Sequence, residues 1–166
     1  MYQPYPSAGQ TPEPVRAGPP ASVVMAVRLM YTGAVVSALS LIVGLATVGS
    51  VRPSLHKADP KLTANQLHNL QIAFVIGSAV FQVILIALWV WMALMNKAGK
   101  SWARIVATVL FGLNSLILLV DVTRAGGSAA ALVSILTWLI GLGAVIFLWR
   151  KDASEYFTAR NAAKVR

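Results

Sequence analysis

The hydrophobic positions of this chain fall in four long runs, not in the short stripes of a soluble protein. Leu29–Val51 carries no charge from end to end, and a helix of that length reaches about 34 Å, enough for a hydrocarbon core of ~30 Å. Ile72–Met95 is equally free of charge and is interrupted only by Gln82. Ile105–Val120 is the shortest run, with Trp102 and Ala103 before it, and a basic side chain can snorkel at its boundary. Ala129–Trp149 is uncharged throughout. A membrane span must satisfy every backbone N–H and C=O internally, so each run is expected to be a helix. The first run follows a head that contains six prolines and is longer than a signal-peptide core, which favours a span over a cleaved leader.

The expected fold is all-α, a four-transmembrane-helix bundle of up-down-up-down order with both termini cytoplasmic. Residues 1–24 are expected to be a disordered Pro-rich tail and 25–150 the transmembrane domain. Its helices should lie at about 26–50, 64–95, 102–121 and 129–149, followed by a basic tail or surface helix over 151–166. Short links between successive runs make consecutive helices antiparallel neighbours.

Composition agrees with a membrane solvent. Apolar residues make up 57% of the 166 and charged residues 11%, whereas a soluble domain is about one quarter charged. The few charges set an orientation. Arg16, Arg28, Lys97, Lys100, Arg104, Arg150, Lys151, Arg160, Lys164 and Arg166 fall on one side, against Arg52, Lys57, Lys61 and Arg124 on the other. The positive-inside rule makes the richer side cytoplasmic. The net charge of +9 then divides into +7 on the cytoplasmic side and +2 outside once Glu13, Asp152 and Glu155 are set against Asp59 and Asp121, so a basic cytoplasmic collar faces anionic lipid head groups and no nucleic acid is needed to explain the basicity. Tyr31, Trp89, Trp91, Trp102 and Trp149 fall at that same interface, as an aromatic belt requires.

Outside the spans, Pro4, Pro6, Pro12 and Pro14 with Tyr2 and Tyr5 give the tail polyproline-II character, either as a docking strip or as a simple spacer. Asp59-Pro60 marks a turn, and Thr63 with Gln66 fits a capping box that starts a helix near Ala64. His56 and His68 have no third ligand at suitable spacing and the chain has no cysteine, so they are read as solvated, not as metal ligands. Asp152 and Glu155 precede Arg160 and Lys164, with Tyr156 and Phe157 between, which fits a short helix at the membrane surface.

No Asp, Glu, Lys, Arg or His lies in the middle of a run. Proton relays, ion-coupled carriers and voltage sensors place ionisable groups at depth, and no convergent catalytic set is visible. No catalytic, cofactor-binding or metal site is therefore expected. The deep polar groups are Gln82, Asn114 and Ser115, while Gly33, Ser37, Ser40 and Gly44 form small-residue stripes on the first run. Such residues let helices approach and bond across an interface. These seven are the expected packing or partner face, toward another membrane protein or a second copy.

Three stretches carry a resemblance: YQPYPSAGQTPEP before the first run, WARIVATVLFGLNSL into the third and WRKDASEYF after the fourth. With them the chain resembles small four-helix integral membrane proteins of actinobacteria such as mycobacteria, whose functions are mostly unassigned. The resemblance implies a multi-pass plasma-membrane location and an envelope or accessory role. The expected function is a non-catalytic accessory, scaffold or assembly subunit of a plasma-membrane complex. A small channel or carrier formed by oligomerisation, with Gln82, Asn114 and Ser115 facing a lumen, is the alternative, and a lipid-acting enzyme the third.

Overall fold

The computed structural model describes residues 18–125 and 129–162, and in them it is helical without strands. Its elements are α1 (Ala21–Ala46), a 3-10 turn (Val48–Ser50), α2 (Val51–Ala58), α3 (Ala64–Lys97), α4 (Ser101–Ala125), α5 (Ala129–Leu148) and α6 (Lys151–Ala162). Four of these, α1, α3, α4 and α5, are long and apolar enough to cross a membrane.

Local chemistry sets the boundaries. Pro20, in extended conformation, precedes α1, and its carbonyl accepts the first helical bond from the Val24 N–H at 3.0 Å. The helix therefore begins at Ala21, inside the stretch expected to belong to the 1–24 tail. The proline ends the extended segment, and Val23, Ala26 and Val27 behind it are buried. Residues 1–17 lie outside the described residues. At its other end α1 stops at Ala46, short of the expected 50, where Thr47 Oγ1 donates to the Val43 carbonyl and the chain tightens into the 3-10 turn. Helix α2, within a segment expected to be a loop, tolerates Pro53 because its first turn needs no N–H there.

The capping box is present: the Gln66 N–H donates to Thr63 Oγ1, and the Thr63 N–H to Gln66 Oε1 at 2.9 Å. At 34 residues, α3 is about 51 Å long, so it tilts across or projects beyond a ~30 Å core. It ends in a Schellman turn. Gly99 has φ +72°, its N–H donates to the Asn96 carbonyl, and the Lys100 N–H donates to that of Met95. A Cβ at Gly99 would also lie 2.9 Å from Arg160 Cγ. Gly99→Ala is expected to cost about 1–2 kcal/mol for the left-handed backbone alone, read as a lower unfolding midpoint in detergent. Helix α4 is continuous through the weakest of the four runs and extends to Ala125.

The helices form an open arc. Helix α1 packs against α3 on one side and α5 on the other, and α4 packs on α5; α3 and α4, though joined by the turn 98–100, scarcely associate. This departs from the expected packing of consecutive helices as neighbours. Small residues explain it: Gly33 on α1 receives the Trp89 indole, and Gly141 on α5 receives the Phe111 ring. The facing sides of α3 and α4 carry Leu85, Leu110, Leu113 and Ile117, with Ala107 the small residue among them, and line a cavity instead of a packed seam.

The core sits at one end of this arc. Val23, Ala26, Met30, Met92, Ala93, Ala103, Ala144, Leu148, Ala153 and Phe157 are buried together. Helix α6 closes that end: Tyr156 Oη donates to the Lys97 carbonyl at 3.1 Å, Arg104 Nη1 to Ser154 Oγ at 3.1 Å, and Asn161 bonds Ser101. Arg104 stacks on Trp149, 4.8 Å from the ring centroid, and on Phe157 at 5.5 Å. The segment after the fourth span is thus a docked helix with its aromatic face in the core.

Asp152 opens α6 beside the first turn of α1. The Ser22 hydroxyl, buried without a well-formed bond of its own, is the first influence holding the Asp152 carboxyl below its ordinary value. Backbone N–H groups and the Arg150 charge act in the same direction, against some desolvation. A carboxyl depressed in the folded state contributes stability that is present above the ordinary Asp value of ~3.9 and lost as pH falls through the lower folded value. Acidification below pH ~4 is therefore expected to loosen α6 slightly. Asp152→Asn should flatten that acid limb, which tryptophan fluorescence against pH would read.

Candidate partner face and lateral cavity

The seven residues expected on a packing or partner face separate into groups. Gly33 and Ser37 are buried between α1 and α3. A Cβ at Gly33 would meet the Trp89 ring at 2.9 Å, so that indole, expected in the interfacial belt, is an internal contact. Gln82 Nε2 donates to the Ser37 carbonyl at 2.9 Å, an interhelical bond. Ser115 Oγ donates to the Phe111 carbonyl and accepts from Trp138 Nε1 at 2.8 Å, tying α4 to α5 beside the stacked rings of Phe111 and Trp138. These contacts are satisfied within one chain.

Ser40 and Gly44 are different. Beyond the Gln82–Ser37 bond, a groove of about 280 Å³ lies between α1 and α3, bordered by Ser40, Gly44, Thr47, Phe74, Ser78 and Gln82, and past it Gln71 Nε2 donates to the Val48 carbonyl at 3.5 Å. Its hydroxyls bond only their own helix backbones, as Ser40 does to Val36 and Ser78 to Val75. A Cβ at Gly44 would meet no heavy atom within 4 Å. In this half of the molecule Val35, Leu39, Ile42, Phe74, Ile76 and Phe81 are all exposed.

Asn114 stands apart from the other two deep polar residues. It is exposed and lines a second cavity, between α3 and α4, backed by Ala107, Gly141 and Ala144. Gln82, Asn114 and Ser115 thus point to three different places. Gln82→Leu is expected to cost about 1 kcal/mol, the usual value of a helix-to-helix bond in a bilayer. Asn114→Leu should cost nothing or stabilise, and unfolding titrations of the two variants in one detergent compare them directly.

Sequence reading missed Asn96, which belongs to the last turn of α3 rather than to the loop. It is fully buried, donates from Nδ2 to the Met92 carbonyl at 2.8 Å and reaches the Met30 sulfur, while Oδ1 has no partner. The signal was its spacing from Met92 on the same helical face. The side chains of Asp121 and Arg124, the segment 126–128 and residues 163–166 lie outside what is described. No protein-family model matches the chain, and no curated protein or solved structure matches it.

Proposed function

We propose that this chain is a non-catalytic accessory or assembly subunit of a plasma-membrane complex, holding a partner's transmembrane helix against the groove between α1 and α3. The observation that carries it is the asymmetry of packing. One end of the four spans is closed by α6 around a buried core, while toward the other the groove between α1 and α3 presents Gly44, where a Cβ would meet no heavy atom within 4 Å. Small-residue faces in lipid gain their energy from close backbone approach, and this face has no such approach within the chain.

In this reading the spans run up-down-up-down with both termini cytoplasmic and α6 at the cytoplasmic interface. Contacts in reverse chain order support it, since α1 meets α3 through Met30 with Asn96, Gly33 with Trp89 and Ser37 with Gln82. The bias of Lys and Arg toward the α6 end gives the sidedness. Actinobacterial kinship enters only through the resemblance of the flanking stretches. Gln82 and Ser115 are already bonded within the chain, which argues against a lumen lined by the three deep polar residues.

Chemical crosslinking in native membranes followed by mass spectrometry should give one recurrent heterologous partner, with links confined to the α1 and α3 halves that border the groove. Recovery only as free monomer, or links scattered over all four spans, would contradict the proposal.

A further inference from the structure

The cavity between α3 and α4 has a shape and surroundings that fit a different occupant from a helix. It holds about 270 Å³ and is lined by apolar side chains, with Asn114 as the one amide. Ala107 and Ala144 line its back where larger residues would fill it, and Gly141 lies behind the Phe111 ring. Along α4 the lining runs from Ala107 to Ile117, about 15 Å of helix axis, which equals one leaflet of a ~30 Å hydrocarbon core. The slot opens sideways because α3 and α4 barely associate, and it is therefore one acyl chain long and reachable from the bilayer.

The end of the slot nearest the turn 98–100 has the features of a head-group level. Trp91 and Trp102, one from each helix, stand 5.6 Å apart there, as aromatic side chains do at the membrane interface. Lys97 and Lys100 flank the turn that joins the two helices. Neither has a carboxylate within ion-pair distance among the described residues. Juxtamembrane cations of this kind attract anionic lipid.

We infer that the α3–α4 seam is a binding site for one anionic glycerophospholipid, its acyl chain in the slot and its phosphate beside Lys97 and Lys100. The inference rests on the membrane reading but not on the partner face, which lies further along α3, at residues 74–82 and not 85–92. Asn114 falls toward the tail end of the slot, where a saturated chain offers it no bond, so Asn114→Leu should not lower occupancy.

The test uses purified full-length protein in vesicles of phosphatidylcholine with a minor fraction of phosphatidylglycerol. A diazirine is placed near the end of the acyl chain of one lipid or the other. Phosphatidylglycerol adducts should concentrate on residues 85–92 and 107–117 and exceed those of the phosphatidylcholine probe. The lysine pair Lys97→Gln and Lys100→Gln should lower that excess by roughly fivefold per lysine, given about 1 kcal/mol for each cation near an anionic surface. Ala107→Leu, which fills the slot, should reduce adducts from both probes. Equal labelling by the two probes, or an excess untouched by the lysine substitutions, overturns the anionic site. Labelling spread evenly over exposed faces such as 132–139 overturns the slot and leaves the partner reading standing, whereas no acyl adduct on any span overturns the membrane reading itself.

Discussion

Phe157→Ala should release α6 and lower the unfolding free energy by about 3–5 kcal/mol, the range for truncating a fully buried aromatic ring. The ring is wholly inaccessible, meets Tyr156 edge-on at 5.8 Å and lies under the Arg104 guanidinium. Its loss removes both the core contact and the surface on which Arg104 is stacked, so Arg104 and Trp149 should become mobile together. Denaturation in mixed micelles, followed by tryptophan fluorescence, measures the loss. A change under about 1 kcal/mol, the scale of an ordinary surface substitution, would mean that α6 is an appendage and not the element that closes the bundle.

Gly33→Leu should cost about 1–3 kcal/mol or more, because overpacking forces side chains off their rotamers and helices apart. A single Cβ there already lies 2.9 Å from the Trp89 indole, so the extra carbons of Leu cannot be placed without moving α1 away from α3. The bond from Gln82 to the Ser37 carbonyl, one turn further along, should be lost with it. Gly44→Leu on the same helix makes the comparison sharp. Nothing faces position 44, so the isolated protein should unfold as the parent does, while its association with a partner is lost. Equal instability of the two variants would mean that the groove closes in the membrane against the chain's own helices.

Much of the architecture is visible in the residues because a bilayer leaves few choices. Uncharged runs of spanning length have to be helices, and Thr63 with Gln66 marks the start of α3 to the residue. Packing was less legible. Every face of these helices is apolar, so hydrophobicity does not separate a face against lipid from one against a neighbour, as the exposure of Leu39, Ile76 and Leu116 illustrates. The discriminating signal is size. Gly33 opposite Trp89 and Gly141 opposite Phe111 decide which helices touch, and pairing a small residue with a distant large one requires the fold. For the same reason the neighbouring small-residue stripes of α1 are alike in sequence and part in the structure, Gly33 and Ser37 going to internal packing and Ser40 and Gly44 to the groove. The docking of α6 was hidden too. Its apolar residues are few: Phe157 enters the buried cluster with Ala103 and Leu148, while Tyr156 and Arg160 pack where Gly99 turns the chain.

The polar residues show the same division. Gln82, Asn114 and Ser115 are equivalent by depth and chemistry, yet two are bonded to neighbouring helices and the third faces the α3–α4 slot. Only the angular position of each residue about its axis separates them, and that is fixed by the arc of α3, α1, α5 and α4 rather than by local sequence.

Site-specific photocrosslinking from position 44 in native membranes tests the partner face most directly. The chain has no cysteine, so Gly44→Cys carries a photoreactive maleimide at that one place, and Ile146→Cys, on an exposed face of the closed half, serves as the reference. The expected result is one protein adduct of recurrent mass from position 44 and lipid adducts alone from position 146. Lipid adducts alone from both positions would contradict the assembly role.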